Sequence, residues 1–207
     1  MKLDQATLQK LAEHLENCEL NAQDTLKITD QYSDMDFDDA YAIQEIIRDR
    51  KIARGARIIG LKAGLTSFAK MKQMGVETPV FGFLADYFAI PDGGECKVSE
   101  LIHPKVEPEI AFVMRSNLIA RTTAYSLDEV MQAVGALHPS LEIPNSRYSV
   151  FTAVGEAQLL ADNACAHQFI LGPQAPESWR DIDLSKHAVH AQVTASNGTV
   201  WKREGTG

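Results

Sequence analysis

The sequence predicts an α+β fold, with a helical part over residues 1–56 and a mixed, β-rich part over 57–207. Three observations carry that prediction. Apolar residues recur at helical spacing in two early stretches, at Leu8, Leu11 and Leu15 and again at Tyr41, Ile43, Ile46 and Ile47. Beyond residue 56 the apolar runs are short and broken by glycine, proline and asparagine turns. No βαβ regularity links them, which argues against a parallel α/β sheet.

Taken in order, Asp4 can cap a first helix that runs to about Asn17. A polar connection over 21–33 leads to Asp36, which opens a second helix whose Asp38 and Asp39 favour its N-terminal dipole. Arg48, Arg50 and Lys51 followed by Gly55 read as its C-terminal end. A short strand then runs into Gly60-Leu61-Lys62-Ala63-Gly64-Leu65-Thr66-Ser67, with Thr66 and Ser67 placed to cap a helix over 68–74. Glycines on both sides of Lys62 allow close backbone approach by a ligand, and a helix start beside a lysine can hold an anion. A lysine simply leaving the core at a strand end fits that segment equally well, and its spacing is not that of a P-loop. Asp86 closes the apolar run over 79–86, either as an acid supporting a site or as a turn cap.

Glu107 and Glu109 flank Pro108 at the start of a β-prone run through Met114. Strand alternation points both carboxylates to one face. Two acids so placed repel each other unless a cation intervenes, and hard divalent cations take carboxylate oxygens. Two solvated acids on an edge strand are the plainer alternative. Ser126 can cap a helix carrying Leu127, Val130, Met131, Val134 and Leu137, and a proline-bounded strand then carries Glu142 between Leu141 and Ile143. Alternation sends Glu142 away from those aliphatics, into water or into a polar pocket. A helix over 152–160, the small polar stretch Ala161-Asp162-Asn163-Ala164, a strand over 167–171 and a hairpin turning at Ser196-Asn197-Gly198 complete the chain.

Composition narrows the function. The net charge of −8 and the lack of a basic patch argue against nucleic acid as a partner. Cys18, Cys96 and Cys165 are odd in number and far apart, as expected for reduced thiols in a cytosolic protein. No apolar run is long enough to span a membrane, and the N-terminus lacks a signal-peptide core. The six histidines show no metal-ligand spacing, and no Gly-x-Ser-x-Gly element or Cys–His nucleophile pairing stands out.

Together these segments resemble the hydratase/decarboxylase branch of the fumarylacetoacetate hydrolase superfamily. The resemblance covers nearly the whole chain. It is carried by Leu11-Ala12-Glu13-His14, the stretch from Gly60 to Ser67, Lys70-Met71-Lys72-Gln73-Met74-Gly75-Val76, Phe81-Gly82-Phe83-Leu84-Ala85-Asp86, the Glu107/Glu109 strand, Leu141-Glu142-Ile143 and Ala161-Asp162-Asn163-Ala164. Around Lys70 to Tyr87 it is closer to the decarboxylases of the branch than to the hydratases.

The resemblance implies that Glu107, Glu109 and Glu142 ligate one Mg²⁺ or Mn²⁺. It also implies Lys62 and Asp86 as catalytic residues and Thr66, Ser67 and Asp162 around the substrate, while Arg147 in Asn145-Ser146-Arg147-Tyr148 is a candidate grip for a carboxylate. The implied reaction is decarboxylation of 2-oxohex-3-enedioate to 2-hydroxypenta-2,4-dienoate, in the meta-cleavage route of aromatic catabolism. Hydration of that dienoate is the nearest alternative, and a non-catalytic subunit of a decarboxylase–hydratase complex is a further one. A homo-oligomer is expected, with a partner hydratase as its possible companion. Chains of this kind normally continue beyond the hairpin, so a β core left incomplete at Gly205-Thr206-Gly207 is expected.

Overall fold

The computed structural model describes residues 1–68, 71–72, 78–150 and 154–206. The helix expected over 68–74, the Lys70-to-Val76 motif and the beginning of the helix expected over 152–160 fall wholly or partly outside the described residues. Helix α1 (Gln5–Leu20) begins where Asp4 accepts a 2.7 Å hydrogen bond from the Thr7 amide. Helix α2 (Phe37–Ala53) opens on a reciprocal cap between Asp36 and Asp39. Its buried face is more polar than its spacing suggests, for Asp39, Gln44 and Lys51 lie inward with Ala40, Ile43 and Ile47, whereas Tyr41 is exposed. Buried Asp39 is satisfied by the amides of Lys2, Leu3 and Asp36. Gln44 donates to the carbonyls of Phe81 and Leu160, so both polar groups tie α2 to its surroundings.

Strands β1 (Ile58–Gly64) and β2 (Val80–Ala85) form an antiparallel pair in which Lys62 lies opposite Gly82. A four-stranded sheet has the order β3–β6–β5–β4, made by β3 (Ala89–Ile90), β4 (Glu107–Met114), β5 (Val134–Ile143) and β6 (Gln168–Leu171). Pro108, which has no amide proton to donate, is tolerated because β4 is an edge of that sheet. Helix α3 (Leu127–Ala133) follows a Ser126/Glu129 capping box, and helix α4 (Glu156–Ala161) precedes β6. Strands β7 (Ala188–Thr194) and β8 (Val200–Thr206) make the hairpin expected around Asn197 and Gly198.

One boundary differs from expectation. Val134 and Leu137 belong to β5 and not to the helix at Ser126, because the backbone becomes extended at Val134, with φ −78° and ψ 125°. Their helical spacing also suits a short buried strand, and close packing decides it. A Cβ on Gly135 would sit 3.2 Å from the Val113 carbonyl oxygen, so a larger residue would fit there only if β4 gave way by a few tenths of an ångström.

The chain divides into two compact units. One unit comprises Met1–Val106 with Glu142–Phe169, and the other comprises Glu107–Leu141 with Ile170–Gly207. The division therefore passes through β5 and β6 themselves. In the first unit Leu8, Leu11 and Leu15 of α1 pack with Ile43 and Ile47 of α2, Phe83, Tyr148 and Leu160. In the second, Val134, Leu137 and Trp179 form a smaller cluster with Ile110 and Met131 against it. Among the described residues no helix is long and apolar enough to cross a membrane.

His167 makes the first unit sensitive to acid. Its ring stacks on Phe88 with centroids 5.5 Å apart, and its Nδ1 has no hydrogen-bond partner. Burial lowers its pKa from 6.5 to about 4. The unfolded chain thus takes up a proton below 6.5 that the folded chain refuses until about 4, so stability present above pH 6.5 is lost as pH falls through that window. His167→Phe, which keeps the stack, is expected to lose less stability than the parent between pH 7 and pH 4 in denaturant titrations. Parallel curves for the two proteins would remove His167 as the cause.

Candidate active site

The site is built from the strands upward. Glu107 and Glu109 occupy the first and third positions of β4, and Glu142 is the ninth residue of β5, the strand hydrogen-bonded beside it. One carboxylate oxygen from each of the three lies within 4.8 Å of the other two. Glu107 and Glu109 are exposed and Glu142 is buried, with 7% of its surface accessible. Of the two directions that alternation left open, Glu142 therefore does not take the one into water. Three hard, anionic oxygen donors this close suit Mg²⁺, Ca²⁺ or Mn²⁺ and not the softer metals that favour sulfur or imidazole.

Lys62 and Glu142 both belong to the first unit. The inward positions of β1 read Gly60, Lys62, Gly64, while Ile59, Leu61 and Ala63 face out. A Cβ on Gly64 would lie in ordinary contact with the Lys62 ammonium, 3.6 Å away. The ammonium sits 3.0 Å from Glu142 Oε1 and donates to the Ala164 carbonyl at 3.2 Å.

That carbonyl comes from an unusual backbone. Asn163, Ala164 and Cys165 all have positive φ, at 51°, 50° and 59°. Each non-glycine residue in this region costs roughly 1–2 kcal/mol, least for asparagine. The Asn163 side chain is buried and accepts from the Phe83 amide at 2.8 Å while donating to the Phe83 carbonyl at 3.0 Å. A Cβ on Gly82 would lie 2.4 Å from the Asn163 carbonyl oxygen, so glycine is required there. Residues 161–164 read as a small polar stretch; asparagine's tolerance of left-handed backbone was the signal available in it.

The remaining expected residues fall elsewhere. Asp86 accepts from the Arg57 side chain at 3.0 Å, the Arg57 amide at 3.2 Å and the Tyr87 amide at 3.0 Å. Bonds from Arg57 hold its carboxyl below the usual range. Arg57 precedes Lys62 by five residues of extended chain, about 16 Å, so the structure does not bring Asp86 to the lysine. Thr66 and Ser67 are exposed just beyond the end of β1.

Arg147 and Asp162 meet each other. Both are inaccessible, at 2% and 0%, and the Arg147 guanidinium ion-pairs with the Asp162 carboxylate while also donating to the carbonyls of Asn145 and Asp162. The expected grip on a substrate carboxylate is a grip on Asp162, because a guanidinium buried this deeply needs its counter-ion within reach. Cys165 adjoins this pair, and burial pushes its thiol up to about 12, so it is no thiolate at neutral pH.

No protein-family model matches the chain. It is 47% identical over 190 residues to a 4-oxalocrotonate decarboxylase of Pseudomonas putida, an alignment covering 92% of this chain and 69% of that one. It is 40% identical over 158 residues to a 2-keto-4-pentenoate hydratase of Paraburkholderia xenovorans, covering 76% of this chain and 57% of that one. Among solved structures it is similar to 4-oxalocrotonate decarboxylase from Pseudomonas putida G7 complexed with magnesium and adipate. That match has a TM-score of 0.87 and 44% identity, over 99% of this chain and 75% of that one. The same enzyme complexed with calcium and acetate gives 0.85 and 43%, over 99% and 74%.

Proposed function

The chain belongs to the 4-oxalocrotonate decarboxylase family, and we infer that it is a divalent-metal-dependent carboxy-lyase acting on 2-oxohex-3-enedioate. The observation that carries the reading is the convergence of Glu107, Glu109 and Glu142, with Lys62 at 3.0 Å from the third. Mg²⁺ or Mn²⁺ would be held by these three carboxylates. When bound, such a cation supplies a Lewis acid for the 2-oxo group.

Cleavage of the C5–C6 bond releases CO₂ and leaves an electron pair that moves through the conjugated carbons to the C2 oxygen. Protonation of that oxygen then yields 2-hydroxypenta-2,4-dienoate. This chain's task is to receive negative charge at one end of the substrate while releasing a neutral molecule from the other. Lys62, fixed by Glu142 and the Ala164 carbonyl, supplies preorganised positive charge for that purpose. Thr66 and Ser67, exposed beyond β1, are candidates for contact with a substrate carboxylate. Asp86 acts on this reading through Arg57 and the end of β2 and not by proton transfer, and Asp162 by holding Arg147.

The solved relative's complex with adipate, a six-carbon dicarboxylate, supports a substrate of that length. The hydratase relative keeps water addition to the dienoate as the second reading. One assay separates the two: CO₂ release from 2-oxohex-3-enedioate against hydration of 2-hydroxypenta-2,4-dienoate. CO₂ release is expected, and hydration without it would reverse the assignment. We place the protein in the cytoplasm as a homo-oligomer able to associate with the partner hydratase, which would take up its unstable product directly.

Lys62→Ala is expected to reduce turnover by about a hundredfold, as loss of a preorganised charge aimed at developing negative charge does. The Michaelis constant should change little by comparison. Unchanged steady-state kinetics would take Lys62 out of the reaction.

A further inference from the structure

We propose that Asn163 is a positioning residue for the reaction, acting through Lys62: it locks the left-handed turn whose Ala164 carbonyl fixes the lysine ammonium beside Glu142. The inference deepens the reading above and rests on Lys62 serving the reaction. Three successive residues of left-handed backbone persist only where their surroundings over-determine them, and such strain collects at functional sites. Here the surroundings are specific. Asn163 pairs with both main-chain groups of Phe83, as a neighbouring strand would. Gly82 leaves its Cβ position to the Asn163 main chain, and Gly82 is the residue opposite Lys62 in the β1–β2 register. On its far side the turn accepts the Asn145 amide at the Cys165 carbonyl, 2.9 Å away, three residues after Glu142.

The turn is thus pinned to the partner strand of Lys62 and to the segment that follows Glu142. Between those two anchors the Ala164 carbonyl is turned toward the ammonium, 3.2 Å from it. Glu142 alone would leave a flexible four-carbon stem free to swing about one contact. A second acceptor on rigid backbone defines a position. A misplacement of about 1 Å can cost on the order of a hundredfold in rate, so this definition has a kinetic consequence.

The test is a double-mutant cycle on the full chain with saturating Mg²⁺, using Lys62→Ala, Asn163→Ala and their combination. Asn163→Ala is expected to lower kcat about tenfold or more with KM within about twofold, and to add little in the Lys62→Ala background. A separate readout uses metal-free protein with ¹³Cε-labelled lysine, in which the Lys62 signal is identified by its loss in Lys62→Ala. That signal should shift in Asn163→Ala. Should Asn163→Ala not fold, Asn163→Asp takes its place, since it keeps the acceptor for the Phe83 amide and loses the donor to the Phe83 carbonyl. If Lys62→Ala lowers kcat while the Asn163 variant leaves kcat and the lysine signal unchanged, the positioning role is overturned and that of Lys62 stands. An equal loss in both backgrounds likewise overturns it, as a structural effect that does not pass through the lysine. If Lys62→Ala itself has no effect, the functional reading of Lys62 fails, and that result is distinct from either of the others.

Discussion

Glu109→Gln is expected to abolish divalent-dependent decarboxylation while leaving the fold intact. Glutamine keeps the shape of the side chain and removes its charge, leaving two carboxylates of the three that lie within 4.8 Å. A hard cation then loses an anionic oxygen and gains a weaker amide donor. Even residues that only orient metal ligands cost 10–100-fold when replaced, so removing a ligand should cost about a hundredfold or more. The fold should survive because Glu109 is exposed on an edge strand. Calorimetric titration with Mg²⁺, CO₂ release and circular dichroism make the test together. Full turnover by the variant in metal-free buffer would remove the three glutamates as ligands.

Breaking the buried pair should do the opposite, harming the fold first. Arg147→Met is expected to destabilise the protein by about 3–5 kcal/mol, because it strands the Asp162 carboxylate where no water reaches it. For a chain of this size that corresponds to roughly 6–20 °C in Tm. The double replacement Arg147→Met with Asp162→Leu should recover much of the loss, since well-packed apolar groups of similar volume can replace a buried ion pair. Differential scanning calorimetry of Arg147→Met, Asp162→Leu and the double variant decides the matter. Additive losses would mean that the two side chains contribute independently.

Much of the candidate site was legible in the chain before any fold was known. Strand alternation alone puts Glu107 and Glu109 on one face, and Glu142 stands near the end of a strand, between Leu141 and Ile143. What alternation could not tell is whether Glu142 faces water or a pocket, since both lie opposite Leu141 and Ile143. Nor could it show that Arg147 is spent inside the protein. Its partner is fifteen residues away, and an arginine five residues beyond a candidate metal ligand reads equally well as a grip on substrate. Val134 and Leu137 show the same ambiguity at the level of local structure, because a short apolar run fits helix and buried strand alike.

The sequence by itself determined the family, the mixed α+β class, the helix caps at Asp4, Asp36 and Ser126, and the three acids suited to a divalent cation. These follow from local rules: which residues cap, which alternate, and which donors a hard ion accepts. Only the tertiary structure decided which charges are available. Lys62 is aimed at Glu142 and the Ala164 carbonyl, and Arg147 is consumed by Asp162. The physical reason is that a buried charge must find a partner within hydrogen-bonding distance, and that partner is chosen by how distant segments pack.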